Sequence, residues 1–315
     1  QHLDKEGAKF SSKSKRLENC VRAIVDQQEK NGFTLNLRGA MLLLSELQEE
    51  EDSLVAKATE MFPPKELQLK TKVKYIPFNI ASRKQIAERL MEKGWEPKHH
   101  TEKGNVIVNE ETLSHIKMPE AQMFSRFFLL QKRTGMLKSW IKECHDDEKV
   151  RGRVMTLKTV TGRMAHNSPN MAQVPASYSP YGKEFRSLWT ISDPEKYNLI
   201  GTDASGLELR CLAHYMRDKA YINEVVNGDV HTANMKMAGL TNRDQAKTFI
   251  YAFLYGAGAA KIGKVVGGGS AQGRDLIERF LGNMPALKRL RNQVTEAATT
   301  GSILGLDGRH LKIRS

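Results

Sequence analysis

Residues 243–255 read RDQAKTFIYAFLY, which sets Arg243, Lys247, Tyr251 and Tyr255 four positions apart. A helix turns about 400° over four residues, so these side chains form one slowly drifting stripe roughly 18 Å long. Two permanent cations stand at its N-terminal end and two aromatic rings follow. A separate face, made of Ala246, Phe249, Ile250, Phe253 and Leu254, is apolar and predicts burial against a core. The stripe therefore has no packing role of its own, and a solvated face would more often mix Glu and Ser. A triphosphate followed by a base would meet matching chemistry along it, helped by the positive potential of a helix N-terminus.

Upstream, YNLIGTDAS (residues 197–205) predicts a short apolar strand ending near Asp203, a carboxylate placed to hold Mg²⁺. Ser205 then opens a predicted helix whose apolar stripe is Leu209, Leu212, Ala213 and Met216. Glu208 has two readings. In the pattern Ser205-x-x-Glu208 it could close a capping box, or it could serve the site itself. TGRMAHNSPNMAQVP (161–175) combines Arg163, Asn170 and Gln173 with the turn formers Gly162, Pro169 and Pro175. Arg and Gln can donate to base-edge acceptors in a minor groove; an ordinary polar loop is the other reading.

Three motifs are decoys. Gly258-AAKI-Gly263-Lys264 nearly spells a phosphate loop, but Val265 replaces the required Ser or Thr and a helix precedes it. Cys144-HDD-Glu148 sits at a predicted helix end, where a solvated acidic patch is expected. His99 and His100 are an isolated pair in a loop.

A length of 315 residues allows one large core or two to three subdomains. The formal charge of +13 suits a polyanionic partner. Three scattered cysteines, Cys20, Cys144 and Cys211, give neither a disulfide framework nor a zinc pattern and point to a reducing compartment. No apolar run reaches the roughly 18 residues of a membrane span, no membrane association is expected, and QHLDKEGAKF is no signal peptide.

The first 150 residues read as helical. One helix is predicted to bury Leu17, Cys20, Val21, Ile24, Val25 and Gln28 and to break at Asn31-Gly32. The next sets Ala40, Met41, Leu44, Leu47, Leu54, Ala58 and Met61 along a helical-hairpin seam, stopped by Pro63-Pro64. A Lys-rich connection spans 65–78, a helix capped by Ser82 follows, and a long helix crosses 119–143 with Phe124, Phe127, Phe128, Leu130 and Met136 mostly inward. RGRVMTLKTVTGRMA (151–165) alternates as strand and turn. Helices, then sheet, then helices make an α+β, multi-lobed chain.

In their order, TGR…PNMAQVP, DASGLELR, GDVHTAN, RDQAKTFIYAFLYGAG and GLDGR resemble family A DNA polymerases, the bacterial DNA polymerase I class. The wording is most similar to that of the replicative polymerases of T-odd short-tailed phages. The resemblance implies a right-hand architecture: thumb at 1–150, N-terminal palm at 151–230, fingers at 231–300, and a return toward the palm at 301–315. It implies that Asp203 is one of two catalytic aspartates and that Ala204 offers a backbone carbonyl to the metal. Arg243, Lys247 and His231 would bind the triphosphate, Tyr251 would lie under the incoming sugar and base, and Tyr255 would guard the insertion site. Glu208 would exclude a 2′-hydroxyl. Arg163 and Gln173, with Asn170 beside them, would contact primer-template DNA. Single-subunit RNA polymerases share part of this pattern, but Glu208 and Tyr251 match the DNA-synthesising branch.

The resemblance also sets expectations about what completes the site. Family members carry their second aspartate in a His-Asp-Glu motif after GLDGR, and these 315 residues hold none. The expectation is a split or truncated enzyme whose two Mg²⁺ ions share an aspartate from a C-terminal fragment, with the chain alone inactive. No proofreading exonuclease is expected in residues 1–60, so a separate one would serve. The short connection at 62–79 speaks against a thioredoxin clamp, and a phage-encoded protein would work in the host cytoplasm. The rival from another class is a non-catalytic DNA-binding subunit of a replication complex.

Overall fold

A computed structural model describes residues 10–98, 100, 101, 103–159 and 161–313; His99 of the decoy pair lies outside them. Two compact units divide the chain, one of Asn19–Leu199 and one of Ile200–Ser315 with Gln1–Glu18.

In the first unit, α1 (Ser12–Asn31) stops where Gly32 takes φ +62°, a left-handed turn that leads into β1 (Phe33–Leu35). Asn36 then caps α2 (Leu37–Met61), its side chain accepting the Gly39 N–H at 2.9 Å. A hairpin of β2 (Lys65–Gln68) and β3 (Val73–Ile76) is followed by α3 (Arg83–Glu92), α4 (Glu110–Ser114) and α5 (Pro119–Lys142). The remaining elements are β4 (Lys149–Val150), β5 (Arg153–Met155), β6 (Ala165–Asn167), α6 (Gly182–Ser187) and β7 (Trp189–Thr190). Strand β1 lies between β4 and β7, antiparallel to both, with Thr34 opposite Lys149 and Thr190.

Two cores hold this unit. One gathers Phe62, Phe78 and Phe124, whose ring centroids lie 4.8 to 5.8 Å apart. The other packs Trp140 edge-on against Phe185 at 5.5 Å and Trp189 at 4.9 Å. A half-buried clasp joins α2 and α5 to Tyr181. Arg126 forks onto Glu50 at 2.6 and 2.7 Å, and the Tyr181 hydroxyl donates to the same carboxylate at 2.9 Å.

Three local expectations need correction. Of the α1 face predicted as buried, only Val25 is; Ile24 is 68% exposed, and Leu17, Cys20 and Gln28 are exposed too. The opposite face carries the docking: Arg22 donates to the Val154 carbonyl at 2.8 Å, and Glu29 accepts the Val154 N–H at 2.6 Å. Helix α2 buries Ala40, Leu47 and Ala58 but also Leu43, while Met41 and Met61 stay exposed. Its main partner is α5 rather than α1, because β1 intervenes and enters the sheet. The Lys-rich connection is the β2–β3 hairpin, with Glu66 opposite Tyr75 and Gln68 opposite Val73.

The second unit is mostly helical: α7 (Leu207–Met216), α8 (Lys219–Asn227), α9 (Val230–Ala238), α10 (Arg243–Leu254), α11 (Ala259–Val265), α12 (Ser270–Asn283) and α13 (Pro285–Ala298). A hairpin of β8 (Ser302–Leu304) and β9 (His310–Lys312) follows, and Arg309 within it reaches Glu18 at 2.5 Å. The core takes Leu209, Leu212, Ala213 and Met216 from α7, as their spacing predicted, with Phe249, Ile250, Ile262 and Phe280. Helices α11 and α12 touch through glycine. A Cβ at Gly263 would stand 1.9 Å from the Gly269 carbonyl oxygen, and one at Gly273 equally close to that of Ala259. The near phosphate loop is therefore a packed helix. The strand predicted over 197–205 does not form: residues 197–204 have no regular structure, and Leu199 and Ile200 are 58% and 82% exposed. A strand exists only when a neighbour supplies its ladder, and no described strand pairs with this segment.

Candidate active site

Helix α10 forms because its apolar face repeats at helical spacing and Asn242 caps it, accepting the N–H groups of Asp244 and Gln245 at 2.8 and 3.1 Å. Ala246, Phe249 and Ile250 are fully buried, with Phe253 and Leu254 packed beside them. Burying each large side chain contributes about 1.5–3 kcal/mol, enough to fix how the helix is turned. That rotation leaves Arg243 and Lys247 exposed, Tyr251 half-buried and Tyr255 62% exposed, so the stripe exists as the spacing predicted. Burial, and then the nearby Glu208 carboxylate, pushes the Tyr251 hydroxyl pKa up. At the helix N-terminus expected beside the phosphates, Asn242 takes two of the N–H donors.

Ser205 is not the N-cap of Glu208's helix. The N-cap of α7 is Gly206, in the left-handed region at φ +59°, and no side chain bonds there. Instead the Tyr255 hydroxyl donates to Glu208 Oε1 at 2.7 Å, tying the first turn of α7 to the end of the stripe.

Arg243 is already engaged. Its Nε and one terminal nitrogen donate to Asp229 at 2.8 and 3.0 Å. Asp229 also caps α9, accepting from the His231 and Thr232 N–H groups at 3.1 and 3.3 Å and from the Thr232 hydroxyl at 2.7 Å. Held chiefly by Arg243, the Asp229 carboxyl titrates well below the usual range. Asp229 carried no role in the sequence reading, although an Asp immediately before an apolar-patterned helix is a capping signal. His231 stands one residue into α9, its ring 6.1 Å from that of Tyr251, with a buried Nδ1 that has no hydrogen-bond partner among the described residues. Burial first, then the charges of Arg243 and Lys247, push its pKa down. Lys247 makes no ion pair among the described residues.

Asp203 is exposed, in the irregular segment before α7, and forms no ion pair or hydrogen bond among the described residues. Mg²⁺ keeps several waters and takes one or two carboxylates plus substrate phosphates, so an unencumbered carboxylate next to the Ala204 carbonyl fits its donor preference. Among the described residues no three His, Cys, Asp or Glu side chains cluster to hold a metal. That includes the acidic decoy. Asp147 bonds Arg151 and titrates at about 2, and burial raises the Cys144 thiol.

The remaining predicted contacts belong to the other unit. Arg163 is exposed on the β5–β6 connection, where its backbone is closed onto Thr159 Oγ1. Asn170 caps the short turn Met171–Gln173 by accepting the Ala172 N–H at 3.1 Å, which leaves its amide donors for other partners; Gln173 is exposed.

The family model described as DNA polymerase family A matches residues 45–315. The DNA-directed DNA polymerase of Escherichia phage T7 is 39% identical over 279 residues, covering 78% of this chain and 40% of that protein. That of Enterobacteria phage T3 has the same identity and coverage. DNA polymerase I of Helicobacter pylori (strain ATCC 700392 / 26695) is 27% identical over 243 residues, covering 73% of this chain and 27% of that protein. The chain thus spans about 40% of the length of the phage relatives. In fold it is similar to the polymerase domain of Pol1 from M. smegmatis, solved with DNA primer-template and dNTP: TM-score 0.77, 17% identity, 94% of this chain and 52% of that one. No helix among the described residues is long and apolar enough to cross a membrane.

Proposed function

Because the chain belongs to DNA polymerase family A, we propose that it supplies the thumb (1–150), N-terminal palm (151–230) and fingers (231–300) of a template-directed DNA polymerase, with 301–315 turning back toward the palm. One observation carries this reading: a core-anchored helix presents Arg243, Lys247, Tyr251 and Tyr255 outward, and Tyr255 is bonded to Glu208.

In the proposed reaction the primer 3′-oxygen bonds to the α-phosphorus of a dNTP. The bond from that phosphorus to the α–β bridging oxygen breaks, pyrophosphate leaves, and the hydroxyl proton passes to water. Arg243 and Lys247 hold the triphosphate oxygens and offset the charge of the leaving pyrophosphate, and His231 donates a hydrogen bond to them. Tyr251 lies under the sugar and base. Glu208, fixed by Tyr255, closes the space a 2′-hydroxyl would need. Arg163, Gln173 and Asn170 face the minor groove of the primer-template. When bound, two Mg²⁺ ions would stabilise the attacking and leaving oxygens. Asp203 and the Ala204 carbonyl would hold them, together with an aspartate from a His-Asp-Glu segment outside these 315 residues. A phage-encoded protein of this kind would act in the host cytoplasm.

Primer extension tests the reading, with the chain alone and then with a family A fragment carrying His-Asp-Glu. Extension is expected with the fragment. Binding of primer-template without extension by the pair would instead favour a non-catalytic DNA-binding subunit.

A further inference from the structure

The Arg243 guanidinium has five N–H donors in a rigid plane, and Asp229 occupies only one edge of it. The N–H of Nε and one of a terminal nitrogen point to the carboxylate. Three donors remain, two of them side by side on the edge between the terminal nitrogens, the spread a pair of phosphate oxygens can use. The same carboxylate fixes the start of α9 through two backbone N–H groups and the Thr232 hydroxyl, and so fixes where His231 stands. One acid therefore organises two of the groups assigned to the triphosphate, from two different helices.

We propose that Asp229 is a positioning residue for the triphosphate: it grips Arg243 by one edge so that the other edge meets the phosphates, and it sets His231 beside them. The inference rests on the polymerase reading of the α10 stripe. A free arginine would sample many rotamers and lose that freedom on binding, whereas a forked one has lost it already. The carboxylate also lowers the local positive charge among Arg243, Lys247 and His231 while no ligand is present. The competing view makes Asp229 only a helix cap.

Equilibrium binding separates the two views, using dNTP and, independently, inorganic triphosphate with wild type, D229N, D229E and T232V. D229N keeps an acceptor for the α9 N–H groups but loses the charged fork; T232V weakens the cap and leaves the fork. The dissociation constant is expected to rise about tenfold in D229N, to recover most of that in D229E, and to stay at the wild-type value in T232V. The His231 ring, faced by Arg243, Lys247, Asp229 and Tyr251, is followed by NMR titration in parallel. Its pKa should fall further in D229N and hold in T232V. Unchanged or tighter binding by D229N overturns the proposal, as does a loss in D229N that T232V matches with an equal loss of thermal stability. Should wild type bind neither probe, the polymerase reading falls and this inference with it; wild-type binding with an indifferent D229N sinks this inference alone.

Discussion

Tyr255, at the end of α10, bonds Glu208 in the first turn of α7, yet α10 and the segment just before α7 are built on opposite terms. The backbone of α10 is bonded as a helix and capped by Asn242, and its apolar face is sealed in a core. Residues 197–204 have neither: no ladder, no cap, and apolar side chains facing water. Proposed binding chemistry sits on the first and the proposed metal carboxylate on the second. On that proposal a catalytic group would stand where the fold has invested almost nothing, and the binding groups would draw on a helix anchored in the core.

If so, substitutions in the two regions should separate activity from stability. The largest effect is expected for Asp203→Ala, which should cut primer extension by about 10³-fold or more while leaving the melting temperature and primer-template affinity unchanged. Retained turnover would remove Asp203 from the site. Phe249→Ala on the buried face of α10 should do the reverse, costing about 3–5 kcal/mol of stability, measured by urea titration; a loss below 1 kcal/mol would mean the helix is not core-anchored. Glu208→Ala probes the link between α10 and α7. It should weaken selection against ribonucleotides by roughly ten- to a hundredfold, with Tyr255→Phe showing a smaller change in the same direction. Equal ribonucleotide exclusion in both variants would count against the sugar-pocket role.

The smallest effect concerns pH. His231 has a folded pKa below its ordinary value of about 6.5, so between those two values the unfolded chain binds more protons. Its contribution is intact above about pH 6.5 and is lost as the pH falls through the folded pKa. Asp229, also lowered, contributes above about pH 4 and loses that contribution only in stronger acid. Urea midpoints at pH 7.5 and 5.5 should therefore differ slightly in wild type and less in His231→Gln. A wild-type midpoint that rises on acidification would contradict the sign.

Much of this contrast could be read from residues, and the unread part has a common cause. The α10 stripe, the α7 core face and the Ser82 cap were legible because helices are specified by neighbours three or four positions away. The strand expected at 197–205 was not, because a ladder depends on a partner that no local pattern names. The burial of α1 was misjudged for a related reason: Arg22 and Glu29 dock on the Val154 backbone, over a hundred residues distant, and turn Ile24 outward. Glu208 stood between two roles; Gly206, not Ser205, takes the N-cap position, and Tyr255 donates to the Glu208 carboxylate. Asp229 was missed because the cap signal is local, but its second use requires knowing where Arg243 lies.

The glycine contact between α11 and α12 bears on how such a site could move. Side chains between helices yield by changing rotamer, whereas a carbonyl oxygen against a Cα has nothing to rotate. A displacement of α11 toward α12 would therefore meet backbone rather than a side chain that can turn aside.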